Sequence, residues 1–189
     1  VKKDLSQFLN KRIHVIYNPI KDVYYDEKIS KNNTFLFVGR ANDPIKRFNL
    51  IRDSVSKIEN GIRKIKVCGA ENPNFGNYLG YVSDDELNNL YNSTQFLLLP
   101  SKAEGIGLPM IEAMICGVLP ITCDDNETAK EFLPPDFICA PNPESILECI
   151  KKLEQEYEIK RKLALKFGTE YKEKFNKTTV AKNILNIIK

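Results

Sequence analysis

The 189 residues predict a doubly wound α/β domain, a parallel sheet flanked by helices, and three observations carry that expectation. Short runs of Val, Ile, Leu and Phe are apolar on both faces, as strands buried inside a parallel sheet require. Amphipathic or capped helical segments separate these runs. Glycines stand directly after several of the runs, where chain reversals belong. Repeated alternation of strand and helix builds a parallel sheet covered on both faces.

The elements follow in order. Leu5–Asn10 reads as a short helix and Ile13–Tyr17 as a strand ending at Asn18-Pro19. Ile20–Asn33 is charged and irregular, so the first strand precedes a connector and marks the end of an earlier unit. Thr34–Val38 opens the main sheet. Leu50–Ile58 follows as a helix with Ile51, Val55 and Ile58 on one face, and Ile65–Cys68 is the next strand. Ser83-Asp84-Asp85-Glu86 is a capping-box sequence ahead of Leu87, Leu90 and Tyr91 at helical spacing. After the strand Phe96–Leu99, the segment Pro109–Cys116 has proline where a first helical turn lacks an N–H partner anyway, and Gly117 where a helix ends. Val118–Thr122 and Phe137–Cys139 are the last strands, and Glu144–Lys152, Glu154–Phe175 and Thr178–Ile188 form a helical tail.

Bulk properties narrow the function classes. The net charge is only +3, with 42% hydrophobic and 28% charged residues, and the lysines alternate with acids as in Lys172-Glu173-Lys174. That pattern is a solvated helix face and argues against a nucleic-acid partner. Five cysteines without a Cys-x-x-Cys pair, most in apolar runs, read as buried free thiols of a reducing compartment. No apolar run reaches membrane-spanning length and no signal peptide opens the sequence. A cytoplasmic site of action is expected, peripheral at the inner membrane face if the acceptor is membrane-bound.

The most informative stretch is Glu104-Gly105-Ile106-Gly107-Leu108-Pro109-Met110-Ile111-Glu112. A glycine turn and a helix N-terminus offer free N–H groups and a partial positive charge to a phosphate. Ionised carboxylates only accept hydrogen bonds, which suits sugar hydroxyls. Both together fit a sugar nucleotide. In an open α/β sheet ligands bind beyond the carboxyl ends of the strands. Gly39-Arg40 with Lys46-Arg47, then Gly69, then Gly80-Tyr81-Val82, and then Ser101–Glu112 all fall there. Arg40 and Lys46 would offset the charge of a diphosphate beside Glu104 and Glu112, which otherwise repels.

These residues form an ordered string that resembles the C-terminal, donor-binding half of a family 4 retaining glycosyltransferase of GT-B architecture. The string runs through Phe35–Arg40, Lys46, Gly80–Leu87, Leu90-Tyr91, Leu98–Ser101 and Glu104–Ile121, most of Asn33–Thr122. The resemblance implies a Rossmann-like domain over 34–175, a remnant of an N-terminal domain over 1–19, an interdomain connector over 20–33 and a crossover helix over 176–189. It implies that Arg40 and Lys46 hold the donor diphosphate and that the amides of Gly105, Ile106, Gly107 and Leu108 meet sugar and phosphates. Glu104 would sit at the transferred hexose, as a catalytic residue with Arg40 and Lys46. Glu112 would accept from the ribose, while Gly39, Gly69, Tyr81, Val82 and Leu87 border the nucleotide. No metal is implied; the donor is a co-substrate, and transfer would serve polysaccharide synthesis. The acceptor would bind mostly in an N-terminal domain, of which only the last helix and strand are recognisable, so the chain reads as an excised piece or a natural half-enzyme. The sequence departs from the family pattern at Arg47, where glycine is usual, and at Ile106, where phenylalanine is usual.

Two other functions share these features. A sugar-nucleotide epimerase would use the same donor site and release an altered donor. A non-catalytic module would bind donor, or dock a partner, without turnover. A dinucleotide oxidoreductase is disfavoured, because no Gly-x-Gly-x-x-Gly follows the first strand. His14, the one histidine, lies in an apolar run and has no nucleophile or metal-ligand spacing around it.

Overall fold

The computed structural model of the chain describes residues 13–188. Within them β1 (Asn32–Val38), β2 (Ile65–Cys68), β3 (Asn77–Gly80), β4 (Thr94–Leu98), β5 (Leu119–Cys123) and β6 (Ile138–Cys139) form one sheet in the order β3-β2-β1-β4-β5-β6. Every neighbouring pair is parallel. The helices are α1 (Phe48–Val55), α2 (Gly61–Lys64), α3 (Asp84–Ser93), α4 (Leu108–Ile115), α5 (Glu127–Phe132), α6 (Pro143–Gln155), α7 (Tyr157–Lys174) and α8 (Lys177–Ile188). The doubly wound parallel sheet with a helical C-terminal tail is therefore present.

The strands form because their side chains have nowhere else to go. Phe35, Leu36 and Phe37 of β1 and Phe96 and Leu97 of β4 are fully buried. Phe35 and Phe96 are register partners whose rings stack at 5.8 Å. Each such side chain contributes about 1.5–3 kcal/mol by leaving water. Helix α4 is apolar except for Glu112, with Met110 through Ile115 all buried, because it lies inside the molecule against α7. Helix α3 begins with both reciprocal bonds of the expected capping box between Ser83 and Glu86.

The winding sets the position of the site. The chain runs outward from β1 through β2 to β3, then returns to the other side of β1 as β4 and continues through β5 to β6. The order reverses between β1 and β4, and a crevice opens at such a switch point beyond the carboxyl ends of the strands.

One expectation needs correction, and others need filling out. Ile13–Tyr17 is not a strand: Val15 and Ile16 are exposed, and no strand of the sheet pairs with the segment. Tyr17 instead joins an aromatic cluster with Phe132 and Phe175, and its hydroxyl donates to Glu131. The strand β3 and the short helices α2 and α5 escaped the sequence reading. The expected connector 20–33 is irregular up to residue 31, with Asn32 and Asn33 already in β1, yet it is strapped down. Ile20 and Tyr24 are buried, Asp26 pairs with Arg161 at 2.8 Å, and Lys31 Nζ donates to the last carbonyls of α3, Tyr91 at 2.8 Å and Asn92 at 3.1 Å. The expected helix Leu5–Asn10 lies outside the described residues. All five cysteines are free thiols, four of them buried and Cys139 half-buried.

Candidate functional site

The carboxyl ends of β1, β2 and β3 are stitched together by short bonds. Gly39 N–H donates to the Cys68 carbonyl and Gly69 N–H to the Gly80 carbonyl, each at 2.9 Å. The Tyr78 hydroxyl donates to the Gly69 carbonyl at 2.9 Å. Only glycine fits at position 69, since a Cβ there would lie 1.9 Å from the Gly39 oxygen. Above this floor opens a cavity of about 360 Å³. Of the residues predicted from sequence, Gly39, Arg40, Lys46, Gly69, Tyr81, Val82 and Leu87 all line it, together with Pro109 at the start of α4.

The cations stand on the turn after β1. Asp43 caps the tight turn Pro44–Lys46 by accepting from the Ile45 N–H at 3.0 Å. The same carboxylate takes the Arg40 guanidinium at 2.6 Å, and the Arg40 side chain is 69% exposed. Lys46 is different: Nζ lies 2.6 Å from Glu104 Oε1, and both side chains are largely buried. Residues 58 positions apart, predicted for one ligand, thus meet each other across the switch point. Arg47 adopts left-handed backbone, φ 50° and ψ 44°. Glycine takes that conformation freely, whereas another residue pays about 1 kcal/mol. The Arg47 guanidinium makes a two-point ion pair with Asp125 at 2.9 and 2.5 Å.

Helix α4 starts at a left-handed Gly107, φ 68°, with no side-chain cap, so its first amides have no side-chain acceptor. A Cβ at Gly107 would sit 2.1 Å from the Met110 methyl. The Thr128 hydroxyl donates to the Glu104 carbonyl at 2.7 Å, and the Lys102 N–H to the Ile45 carbonyl at 2.8 Å. Gly105 and Ile106 line a second cavity of about 530 Å³ with Val15 to Asn18, Glu127, Thr128 and Glu131. Gly107, Leu108 and Glu112 line neither cavity.

Glu112 lies one turn into α4 from Pro109 and is 8% exposed. Its Oε2 accepts from the buried Tyr91 hydroxyl at 3.1 Å. Burial pushes the Glu112 pKa up from 4.5 to about 7, against the lowering effect of the Tyr91 bond and the Lys21 charge. A carboxylate kept in such a place is strained towards a partner that can give it hydrogen bonds.

Sequence reasoning missed Asp43, Asp125, Thr128 and the Tyr91–Glu112 bond. Asp43-Pro44 carried a local signal, because Asp before Pro is a cap pattern. The others carried none, since their partners are remote in sequence. Among the described residues no group of three or more His, Cys, Asp or Glu side chains is placed to hold a metal ion, and no helix is long and apolar enough to cross a membrane.

Residues 25–173 match the family model described as glycosyl transferases group 1. An uncharacterized glycosyltransferase of Methanocaldococcus jannaschii is 30% identical over 93% of this chain and 53% of its own length. The O-antigen chain mannosyltransferase of Salmonella typhimurium is 29% identical over 82% of this chain and 49% of its own. The chain thus spans about half the length of these relatives. Among solved structures, a sucrose-phosphate synthase from Thermosynechococcus elongatus superposes with a TM-score of 0.76 at 15% identity, over 99% of this chain and 55% of its own. The pneumococcal O-GlcNAc transferase, solved with UDP and GlcNAc, gives 0.75 at 13% identity, over 98% of this chain and 42% of its own. At such identities these two likenesses speak for the fold.

Proposed function

This chain belongs to the glycosyl transferases group 1 family, and from that premise we propose that it is the donor-binding half of a retaining, family 4, GT-B glycosyltransferase. The observation that carries the proposal is the cavity at the switch point. It combines three strand-end glycine turns, Arg40 and a largely buried Lys46 with the start of α4. The diphosphate of a nucleotide sugar lies against Arg40 and Lys46 and reaches out of this cavity towards the amides of Gly105 to Leu108, which stand between Glu104, the partner of Lys46, and the lining residue Pro109. The base lies by Tyr81, Val82 and Leu87, and Glu112 takes the ribose hydroxyls. A mannosyltransferase among the relatives and UDP-bound proteins among the structural neighbours support a hexose donor of this kind.

Transfer breaks the bond between the anomeric carbon and the diphosphate, and negative charge grows on the leaving phosphate. Arg40, Lys46 and the N-terminus of α4 stabilise that charge with groups already in place. Lys46 begins paired with Glu104, so donor entry draws the ammonium onto phosphate and frees the carboxylate for the sugar. Glu104 then accepts from a sugar hydroxyl and offsets positive charge at the reacting carbon. The chemistry asks for no divalent ion, because protein cations do the neutralising. The acceptor binds in the other half of the whole enzyme, whose product belongs to polysaccharide synthesis.

Calorimetric titration with UDP, GDP and ADP, each free and as the nucleotide sugar, in EDTA, tests this. Binding of one base series without metal is the expected result. Absence of binding to all six, in a folded chain, would contradict it.

A further inference from the structure

We propose that Arg47 and Asp125 form a clamp that positions Lys46 and Glu104 for the donor, a role that rests on the donor-site reading above. Arg47 follows Lys46 directly and sits at the junction between the Pro44–Lys46 turn and α1 in left-handed backbone. Its guanidinium meets Asp125, in the loop between β5 and α5, through two parallel bonds of 2.9 and 2.5 Å, and is 19% exposed. A planar fork on a carboxylate fixes orientation as well as distance, which an ammonium cannot do.

Asp125 stands just before Asn126, whose side chain caps α5 by accepting from the Ala129 N–H. Thr128, in the first turn of that helix, holds the Glu104 carbonyl at 2.7 Å. Glu104 in turn holds Lys46 at 2.6 Å, and Lys46 is bonded through the chain to Arg47. The contacts close into a ring through the loops after β1, β4 and β5. None of these loop residues belongs to the paired strand registers, so the ring is a direct side-chain tie between the three loops. The Lys102 N–H to the Ile45 carbonyl adds one further tie between two of the loops.

Charge gives the proposal its discriminating sign. Asp125 is an anion near a site for an anion, so its removal should by charge alone tighten diphosphate binding. The clamp predicts the reverse. Arg47 has both arms of its fork engaged by Asp125, so it acts through Lys46 and not on phosphate.

The test compares this chain with Asp125→Ala, Arg47→Ala, Arg47→Lys and the double variant Arg47→Ala/Asp125→Ala. Two readouts are taken: calorimetric binding of UDP, GDP and ADP, and ligand-free amide hydrogen exchange in peptides covering 40–47 and 101–107. The expected result is faster exchange in both segments and about tenfold weaker binding of the preferred diphosphate. Both single variants and the double variant should lose affinity, Arg47→Ala the most because it also leaves the Asp125 charge unpaired. Arg47→Lys should fall with them, since charge without a fork does not clamp. If Asp125→Ala unfolds the chain, Asp125→Asn, equal in shape, carries the comparison. Unchanged exchange would overturn the clamp. Faster exchange with unchanged or tighter binding in Asp125→Ala would overturn the positioning role. Wild-type chain that binds none of the three would overturn the donor reading and the proposal with it, while exchange still reports whether the ring exists.

Discussion

Replacing Glu112 by Gln should stabilise this protein above neutral pH while weakening nucleotide binding. Glu112 is buried, and its pKa stands at about 7 instead of 4.5 because burial disfavours the charged form. The folded chain therefore keeps this proton to about pH 7, whereas the unfolded chain releases it near 4.5. Between those values the folded state binds more protons, so stability falls as pH rises, and the loss is complete above pH 7. That difference corresponds to about 3 kcal/mol. Gln cannot ionise and keeps an oxygen for the Tyr91 hydroxyl, but a buried amide hydrogen without a partner costs about 1 kcal/mol. The net expectation at pH 8 is a gain of about 2 kcal/mol, or roughly 4–8 °C in Tm for a domain of this size. At pH 4.5 the gain vanishes or reverses. Thermal unfolding of both proteins from pH 4.5 to 8.5, followed by circular dichroism, measures this directly. A Glu112→Gln variant less stable than wild type at pH 8 would refute the burial argument. So would wild-type stability that does not fall over this range relative to the variant. If nucleotide binding falls in the same variant, a carboxylate that costs stability in the empty protein is one held for a ligand.

The other predictions concern the cations and the floor of the cavity. Glu104→Ala should weaken nucleotide-sugar binding by about tenfold and free diphosphate binding by clearly less, because the sugar contact is lost only for the former; equal losses for both ligands in calorimetry would contradict the assignment. Arg40→Ala should lower affinity for nucleoside diphosphates by roughly five- to tenfold and hardly affect nucleosides, since an exposed cation contributes mainly to a charged ligand; equal losses for both would count against phosphate contact. Gly69→Ala should cost about 2 kcal/mol or more and abolish nucleotide binding, because the new methyl would lie 1.9 Å from the Gly39 oxygen; a denaturant midpoint unchanged from wild type would show that the strand ends can move apart.

Much of the fold was legible because the sheet is buried on both faces. Runs such as Phe35–Val38 and Phe96–Leu99 read as strands wherever they occur, and Ser83 with Glu86 marked the start of α3 by a purely local pairing. The strand β3 was hidden because Asn77-Tyr78-Leu79-Gly80 lies at the sheet edge and is only partly buried, so no apolar run betrays it. Ile13–Tyr17 misled for the converse reason: it has a strand's composition but no pairing strand among the described residues, and Tyr17 packs against Phe132 and Phe175. In the site, the glycine turns and the cations after each strand were legible as punctuation. The pairings of Lys46 with Glu104 and of Arg47 with Asp125 were not, because they join loops 58 and 78 residues apart that only the winding of the sheet brings together. The raised pKa of Glu112 was equally out of reach, since it follows from how deeply α4 is buried.

The most direct test of the donor site is a crystal structure of this chain with whichever of UDP, GDP or ADP binds it. The account predicts the diphosphate between Lys46 and the Gly105–Leu108 turn, with the ammonium drawn off Glu104 onto a phosphate oxygen and the ribose hydroxyls within hydrogen-bond reach of Glu112. A nucleotide seated elsewhere, with the Lys46–Glu104 pair intact, would contradict it.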